Sequence, residues 1–568
     1  MSRVRKIEIR HFRGIDELTW VPSPGINCLI GPGDAGKSTV LDAIDFCLGA
    51  RRNLQISDAD FNKLDVSKPI EVLVTLGDLE DELKAFDSYG LYLRGFRSDT
   101  EEVLTEPESG AEVVITVRMT VDADLEPVWS LYSERAEAQE YARYLSWADR
   151  LKLAPTRLGT YTDHNLTWRR GSILNRVTEQ KADATAALTD FAREARNTFG
   201  DTANTQVNET LAIVKRTAEQ LGIRVGDVTA MLDAQSVSLS GGTISLHDSR
   251  GVPLRGLGQG STRLLIAGLQ REAAGGSSII LVDELEHGLE PHRIIRLIGS
   301  LGAKEEPAPL QVFMTTHSPV TVRELAAEQL YVLRGTESVH EVRRVGVRHE
   351  MQATLRACPE AFLAPSVIVC EGASEMGLLR GLDLHRLETG EPSFLTFGVS
   401  LADGRGETTF RRANAFASLG YRTAVLRDDD KQPVVSEVDE FERARGSAFT
   451  WGPGQAIEDA LFSGLSEAAV QELTEAAVEA VGEDLVDANI QSASSGVLNL
   501  AECRNGVTAE TRRALGKAAK GRRTSWFKSV TDMETVGRKI VGPDLTNASP
   551  EFRATIEAVF AWVRDGRI

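Results

Sequence analysis

The chain has no apolar run that approaches the ~18 residues of a membrane-spanning helix. Its start, MSRVRKIEIRHF, alternates basic with apolar residues and lacks a signal-peptide core, so a cytoplasmic location is expected. Cysteine is scarce. Cys28, Cys47, Cys358, Cys370 and Cys503 are scattered, odd in number and without CxxC spacing, and neither a zinc module nor a disulfide framework follows from them. Basic charge is in deficit: 64 Lys and Arg face 83 Asp and Glu, a net charge of −19 that argues against a nonspecific coat for nucleic acid. The 568 residues are too many for one core, and two to four domains are expected.

One segment runs against the acidic balance. Residues 511–528, TRRALGKAAKGRRTSWFK, carry seven basic residues, no acid and the aromatic pair Trp526 and Phe527. A charge run is ordinarily a solvated helix face; in an acidic chain, binding of a phosphate backbone is an equal reading.

Two β-rich runs end in carboxylates. Residues 366–375, SVIVCEGASE, place Glu371 after a continuous apolar strand, and residues 423–430, TAVLRDDD, place Asp428 and Asp430 after another. Ligands of open α/β sheets sit at the carboxyl ends of strands, so these acids are expected to converge. Clustered carboxylates raise one another's pKa unless a cation compensates them. Hard oxygen donors without His or Cys favour Mg²⁺ or Mn²⁺.

Residues 31–38, GPGDAGKS, fit the phosphate-binding pattern GxxxxGK[ST], between an apolar strand and a helical pattern. Gly31, Asp34, Gly36 and Thr39 belong to the loop and the helix start that would cradle ATP. Lys37 would reach the β and γ phosphates, and Ser38 would hold Mg²⁺. Residues 279–284, IILVDE, read as a strand ending in Asp283, which supports Mg²⁺, and Glu284, which orients or deprotonates the attacking water. His317, in THSP after the next strand, is placed to sense the γ phosphate.

Between these parts lies LGQGS, with Gly258, Gly260 and Ser261, before a helix. It resembles the signature segment of ABC-type ATPases, and the order of P-loop, signature, Asp-Glu, residues 288–291 and His317 matches that class. The opening IEIRHFRGIDEL, with Phe12 and Arg13, resembles the first hairpin of the SMC and RecF-like branch. Gly258 stands where the usual signature serine is, which shifts γ-phosphate binding to Ser261 or backbone groups. A signature that faces a second head implies at least a dimer.

Apolar residues from Leu188 to Leu221 recur at helical spacing, which predicts two helices of a short hairpin assigned to dimerisation. Residues 238–248, SLSGGTISLHD, read as a hairpin that returns the chain to the ATPase sheet. Residues 549–568 begin SPEF and continue with an apolar face, so Ser549 caps and Pro550 starts a final amphipathic helix.

With these motifs together, the chain resembles the OLD (overcoming lysogenisation defect) family of ATP-dependent nucleases, an SMC-like ATPase followed by a Toprim domain. The family includes the nuclease subunit of the Gabija antiphage system. The resemblance implies an α/β architecture: ATPase lobes over 1–180 and 236–350, a helical insertion over 181–235 and a Toprim nuclease over 360–568. It implies Glu371 as first metal ligand and base, Glu375 as the acid four residues on, Asp428 with Asp430 as the DxD pair, and Glu458, with Asp459 as alternative, for a second metal. A catalytic cation is expected at Lys528, with Lys520 second. ATP, Mg²⁺ or Mn²⁺, DNA, a homodimer or higher oligomer and a helicase-like or other defence partner complete the set. The alternatives are a RecF-like DNA-binding ATPase without nuclease activity and a subunit active only with its partner. No tyrosine stands in a setting for strand passage, and no zinc module accompanies a primase reading.

Overall fold

The computed structural model describes residues 2–50, 54–85, 89–144, 150, 153–158, 166, 173–174, 195–232, 244–272, 279–335, 339–346, 349–521 and 525–566. For residues 195–206, 231–232, 244–245, 255, 271 and 349 it describes the backbone alone. The chain divides into two compact units, Met1–Gly346 and Val347–Ile568.

In the first unit, the described strands β1 (Arg3–Phe12), β2 (Ile15–Trp20), β3 (Ile26–Ile30), β4 (Ile70–Gly77), β5 (Leu93–Arg97), β6 (Glu102–Leu104), β7 (Glu112–Val121), β8 (Pro127–Tyr132) and β9 (Thr156–Leu158) share one mixed sheet with four later strands. Two more, β10 (Thr229–Leu232) and β11 (Ile244–His247), pair only with each other. The later strands of the large sheet are β12 (Ile279–Val282), β13 (Gln311–Thr315), β14 (Leu330–Gly335) and β15 (His340–Arg344).

The sheet has two characters. On one side β1, β2, β4, β5, β6, β7 and β8 pair antiparallel, and β1 alternates: Ile7 and Ile9 are fully buried while Arg10 reaches Glu71 at 2.5 Å. On the other side β9, β12, β13, β3 and β14 lie side by side and parallel. Every residue of β3, β12 and β13 is buried, as continuous apolar runs require when both sheet faces are covered. Because these strands are parallel, the loops after β3, β12 and β13 all leave from one edge.

Residues 238–243 of the expected hairpin lie outside the described residues; among the described ones, β11 pairs antiparallel with β10 in a two-stranded sheet apart from the large one. The described helix Ala195–Gln220 has a break in helical geometry at Val207 that divides it into two helical runs. Leu188 and Phe191 lie outside the described residues. Val207, Leu211, Val214 and Ala218 are buried, and Thr217 meets Gly268 of helix Gln259–Glu272 so closely that a Cβ on that glycine would sit 2.3 Å from the threonine methyl. These four residues are core of their own unit, their apolar surface already buried within it.

The second unit holds β16 (Ser366–Cys370), β17 (Val399–Asp403), β18 (Arg422–Arg427) and β19 (Ser447–Thr450), all parallel in the order β17-β16-β18-β19. Helices alternate with these strands, and a helical extension follows. The final helix, Pro550–Arg564, is capped by the Ser549 side chain, which accepts from the Phe552 amide. Its apolar face packs inward, with Phe552 stacked on Trp451 at 5.7 Å and Thr555 donating to the Thr450 carbonyl of β19.

Candidate functional site

In the first unit, Gly31 follows β3 with φ of +144°, and a Cβ there would lie 2.6 Å from the Leu333 carbonyl oxygen, so only glycine fits. Asp34 and Gly36 also take positive φ, and helix Lys37–Leu48 begins directly after them. Its first amides are oriented for an anion. Lys37 is buried, its Nζ donating to the carbonyls of Gly31 and Pro32 at 3.1 and 2.7 Å, and burial lowers its pKa against the pull of Asp34 and Asp283. Ser38 Oγ donates to Asp283 Oδ1 at 2.9 Å, which joins the two expected Mg²⁺ ligands across 245 residues of sequence. Thr39, half-buried, follows in the first turn.

Glu284 has φ of +45°, a conformation that costs free energy in a non-glycine residue, and its side chain is 57% exposed. Around it stand residues not singled out in the sequence. Arg263 of helix Gln259–Glu272 is buried and donates to the carbonyls of Asp283, Glu284 and His287. Thr315 donates to Asp283 Oδ1 at 2.7 Å and accepts from the Glu284 amide. Arg157 of β9 bridges Asp42 and Asp45 of the P-loop helix and comes within 3.7 Å of Asp283. Their only sequence signal was polarity at strand ends or inside an apolar helix, which does not reveal a partner. His317 is exposed, with its amide held by Glu286.

The signature segment packs on residues 288–291: a Cβ on Gly260 would meet the Gly288 carbonyl oxygen at 2.4 Å. Gly258 is open, with nothing within 4 Å of a Cβ, so its lack of a serine is not a steric requirement. Ser261 Oγ accepts from Arg293 at 3.0 Å.

In the second unit, Glu371 leaves the end of β16 and its Oε2 accepts from the Asp428 amide at 3.0 Å, which ties β16 to β18 at their carboxyl ends. Asp428 Oδ1 accepts from the Ile457 amide at 2.9 Å, which brings in the helix Ile457–Gly464 that carries Glu458. Glu375 is 3% exposed and accepts from the Gly372 amide. Burial, then the charges of Glu375, Glu371 and Glu458, pushes the Asp428 carboxyl well up. Burial, then Glu371 and Glu458, raises Glu375; burial also raises Glu371 and Glu458.

The three adjacent aspartates separate cleanly. Asp429 is turned away, accepting from Arg427 at 2.9 Å and from the Gly454 amide at 2.9 Å. Asp430 is exposed and bears on Glu371 through its charge. Asp459 accepts from the Ala456 amide and from Lys520 at 2.5 Å, while Glu458 is buried beside the other acids. Lys528 is exposed and exerts a larger pull on Glu458 than Lys520 does.

The donors fit a hard divalent cation in chemistry: they are carboxylates with no His or Cys among them, and burial raises all four despite the nearby Arg427, Lys431, Lys520 and Lys528. The expected convergence on one point is looser than that. Among the described residues no three His, Cys, Asp or Glu side chains are gathered closely enough to hold a metal ion. Backbone amides pin one oxygen each of Glu371, Glu375 and Asp428, and like charges oppose closer approach.

The basic segment is also corrected. Trp526 and Phe527 are each 1% exposed and lie in the core, Trp526 edge-on to Phe462 at 5.9 Å, so they are not available to stack on bases. Arg512 donates to the carbonyls of Phe462 and Leu465, whereas Arg513, Lys517 and Lys528 are exposed; Arg522 and Arg523 lie outside the described residues.

Residues 26–323, more than half of the chain, match the family described as "AAA domain, putative AbiEii toxin, Type IV TA system". The chain belongs to this AAA-domain family. The match runs from β3 past His317 and so takes in the whole phosphate-binding set. The AAA-domain chain is therefore an ATP-binding ATPase.

Short stretches resemble curated proteins: 45 residues are 44% identical to the DNA replication and repair protein RecF of Prosthecochloris aestuarii, covering 8% of this chain and 12% of that protein. Fifty residues are 44% identical to the chromosome partition protein Smc of Synechocystis sp., covering 9% and 4%. The chain thus spans a small part of these relatives. Among solved structures, the Smc head domain of Pyrococcus furiosus bound to the C-terminal domain of ScpA gives a TM-score of 0.37 at 14% identity, covering 60% of this chain and 96% of that one. No helix among the described residues is long and apolar enough to cross a membrane.

Proposed function

We propose that this AAA-domain ATPase is an ATP-regulated, divalent-metal-dependent DNA endonuclease of the OLD type, acting in antiphage defence or DNA processing. The observation that carries the reading is the cluster of Glu371, Glu375, Asp428 and Glu458 at the carboxyl edge of an all-parallel sheet, each raised by burial, and Glu375 and Asp428 also by the charge of the others. Acids without compensation are costly to a fold, and a bound cation offsets that cost. Glu371, Glu375, Asp428, Asp430 and Glu458 would hold Mg²⁺ or Mn²⁺ in a Toprim-like domain, and the metal would supply an activated water and charge stabilisation at a phosphodiester. Glu371 lies at the strand end to act as base, and Lys528 offers positive charge beside Glu458. ATP held by Lys37, Ser38, Asp283 and Glu284, with the signature of a second copy facing it, would regulate cleavage.

The RecF-like stretch supports a second reading, a DNA-binding ATPase without cleavage. Incubation of supercoiled and linear DNA with Mg²⁺ or Mn²⁺, with and without ATP, separates the two. Wild type is expected to cleave, Glu371→Ala to lose cleavage by at least ~100-fold, and Lys37→Ala to lose the response to ATP. No cleavage by wild type under any of these conditions would favour the binding ATPase, or a subunit that requires a helicase-like partner.

A further inference from the structure

We infer that Glu286 is a positioning residue for ATP hydrolysis, a clamp that holds the His317 loop to the Asp283–Glu284 segment. Both of its carboxylate oxygens are committed. Oε2 accepts from the Thr316 hydroxyl at 2.6 Å, and Oε1 accepts from the His317 amide at 2.7 Å. The Thr316 hydroxyl in turn accepts from the Ser318 amide at 3.0 Å, so a single carboxylate organises three consecutive residues after β13.

The partner segment is fixed as well. Glu286 lies two residues after Glu284, whose amide donates to Thr315 Oγ1, and the Leu285 amide donates to the Thr315 carbonyl. Arg263 holds the carbonyls on either side, those of Glu284 and His287. Two loops that leave parallel neighbours β12 and β13 are thereby stitched together at their roots, with the side chains of Glu284 and His317 both exposed.

The physical need is plain. His317 is the second residue past a fully buried strand, and its side chain is exposed, so its position depends on how the backbone of the loop is held. A carboxylate with two charge-assisted hydrogen bonds supplies that order at the backbone. The helix that follows, Pro319–Glu324, has a proline in its first turn and a Ser318 cap whose side chain makes no capping bond, so order at residue 317 is not supplied from that side. Misplacement of a catalytic group by about 1 Å costs on the order of 100-fold in rate. Glu286 touches no substrate in this account; it acts through His317. The inference rests on the ATPase and is independent of the nuclease reading.

The test is a double-mutant cycle on steady-state ATP hydrolysis by the full chain. Glu286→Ala is expected to lower kcat by about 10- to 100-fold with KM within about twofold, since the phosphate cradle is untouched. Thr316→Val, which removes one of the two bonds, should fall between it and wild type. In a His317→Ala background, Glu286→Ala should add little. A full and undiminished loss in that background, or a matching rise in KM, overturns the clamp. Amide hydrogen exchange reads the same contact without turnover. Protection over residues 311–324 should fall in Glu286→Ala while residues 26–48 are unchanged, and unchanged protection at His317 overturns the proposal. If Glu286→Ala does not fold, Glu286→Gln preserves shape and one acceptor oxygen and should give a smaller loss of the same kind.

Discussion

At the residue scale the carboxylates of the second unit decide most. Glu375 and Asp428 are raised above their ordinary values by burial and then by neighbouring negative charge. A raised native pKa means that the folded state holds its proton more tightly than the unfolded chain does. That contribution is fully present below the unfolded values near 4 and is lost as pH rises through the elevated native ones. In the absence of a divalent cation, stability should therefore decline as pH is raised from about 5 to about 8, and Mg²⁺ or Mn²⁺ should restore it at the upper end. Asp428→Asn should flatten the dependence and raise the melting temperature at pH 8 in chelator by ~2–4 °C, which corresponds to about 1 kcal/mol in a unit of this size. Scanning calorimetry across pH, with and without cation, checks both statements. A melting curve that improves towards pH 8 in chelator would show that the acids carry no mutual strain.

At the level of elements, the segment over 511–528 is a core element with a charged exterior. Trp526 and Phe527 are nearly inaccessible, Arg512 satisfies the last carbonyls of helix Ile457–Gly464, and Lys520 neutralises Asp459. Trp526→Ala should cost ~3–5 kcal/mol of unfolding free energy, the range for removal of a buried aromatic, as measured by denaturant titration. DNA affinity at fixed folded fraction should be unchanged. A loss of affinity without a loss of stability would return the indole to a nucleic-acid role.

For the whole molecule, net charge governs any contact with DNA. The chain carries −19, and the exposed bases of the described part of the segment reduce to Arg513, Lys517 and Lys528. If these, with Arg522 and Arg523, are the phosphate contacts, the logarithm of DNA affinity should fall with the logarithm of salt with a slope of about −3 to −5. Arg513→Glu with Lys517→Glu should reduce the slope by about 2. Fluorescence anisotropy over a salt series measures it, and a slope near zero would remove phosphate binding by this segment.

What was legible in the sequence was what lies close along the chain. The phosphate loop, the Asp-Glu strand end, the buried apolar strands and the Ser549 cap are each set by a few adjacent residues: glycine where φ must be positive, continuous apolar runs where both faces are covered, a hydroxyl where helix amides need an acceptor. Which acids of the second unit face one another, which lysine is spent on Asp459, why Trp526 is core, and that Glu286 holds His317 were decided by tertiary structure alone. Their partners are contributed by strands and helices far apart in sequence, and a side chain's burial and hydrogen bonds are properties of that packing rather than of its neighbours in the chain.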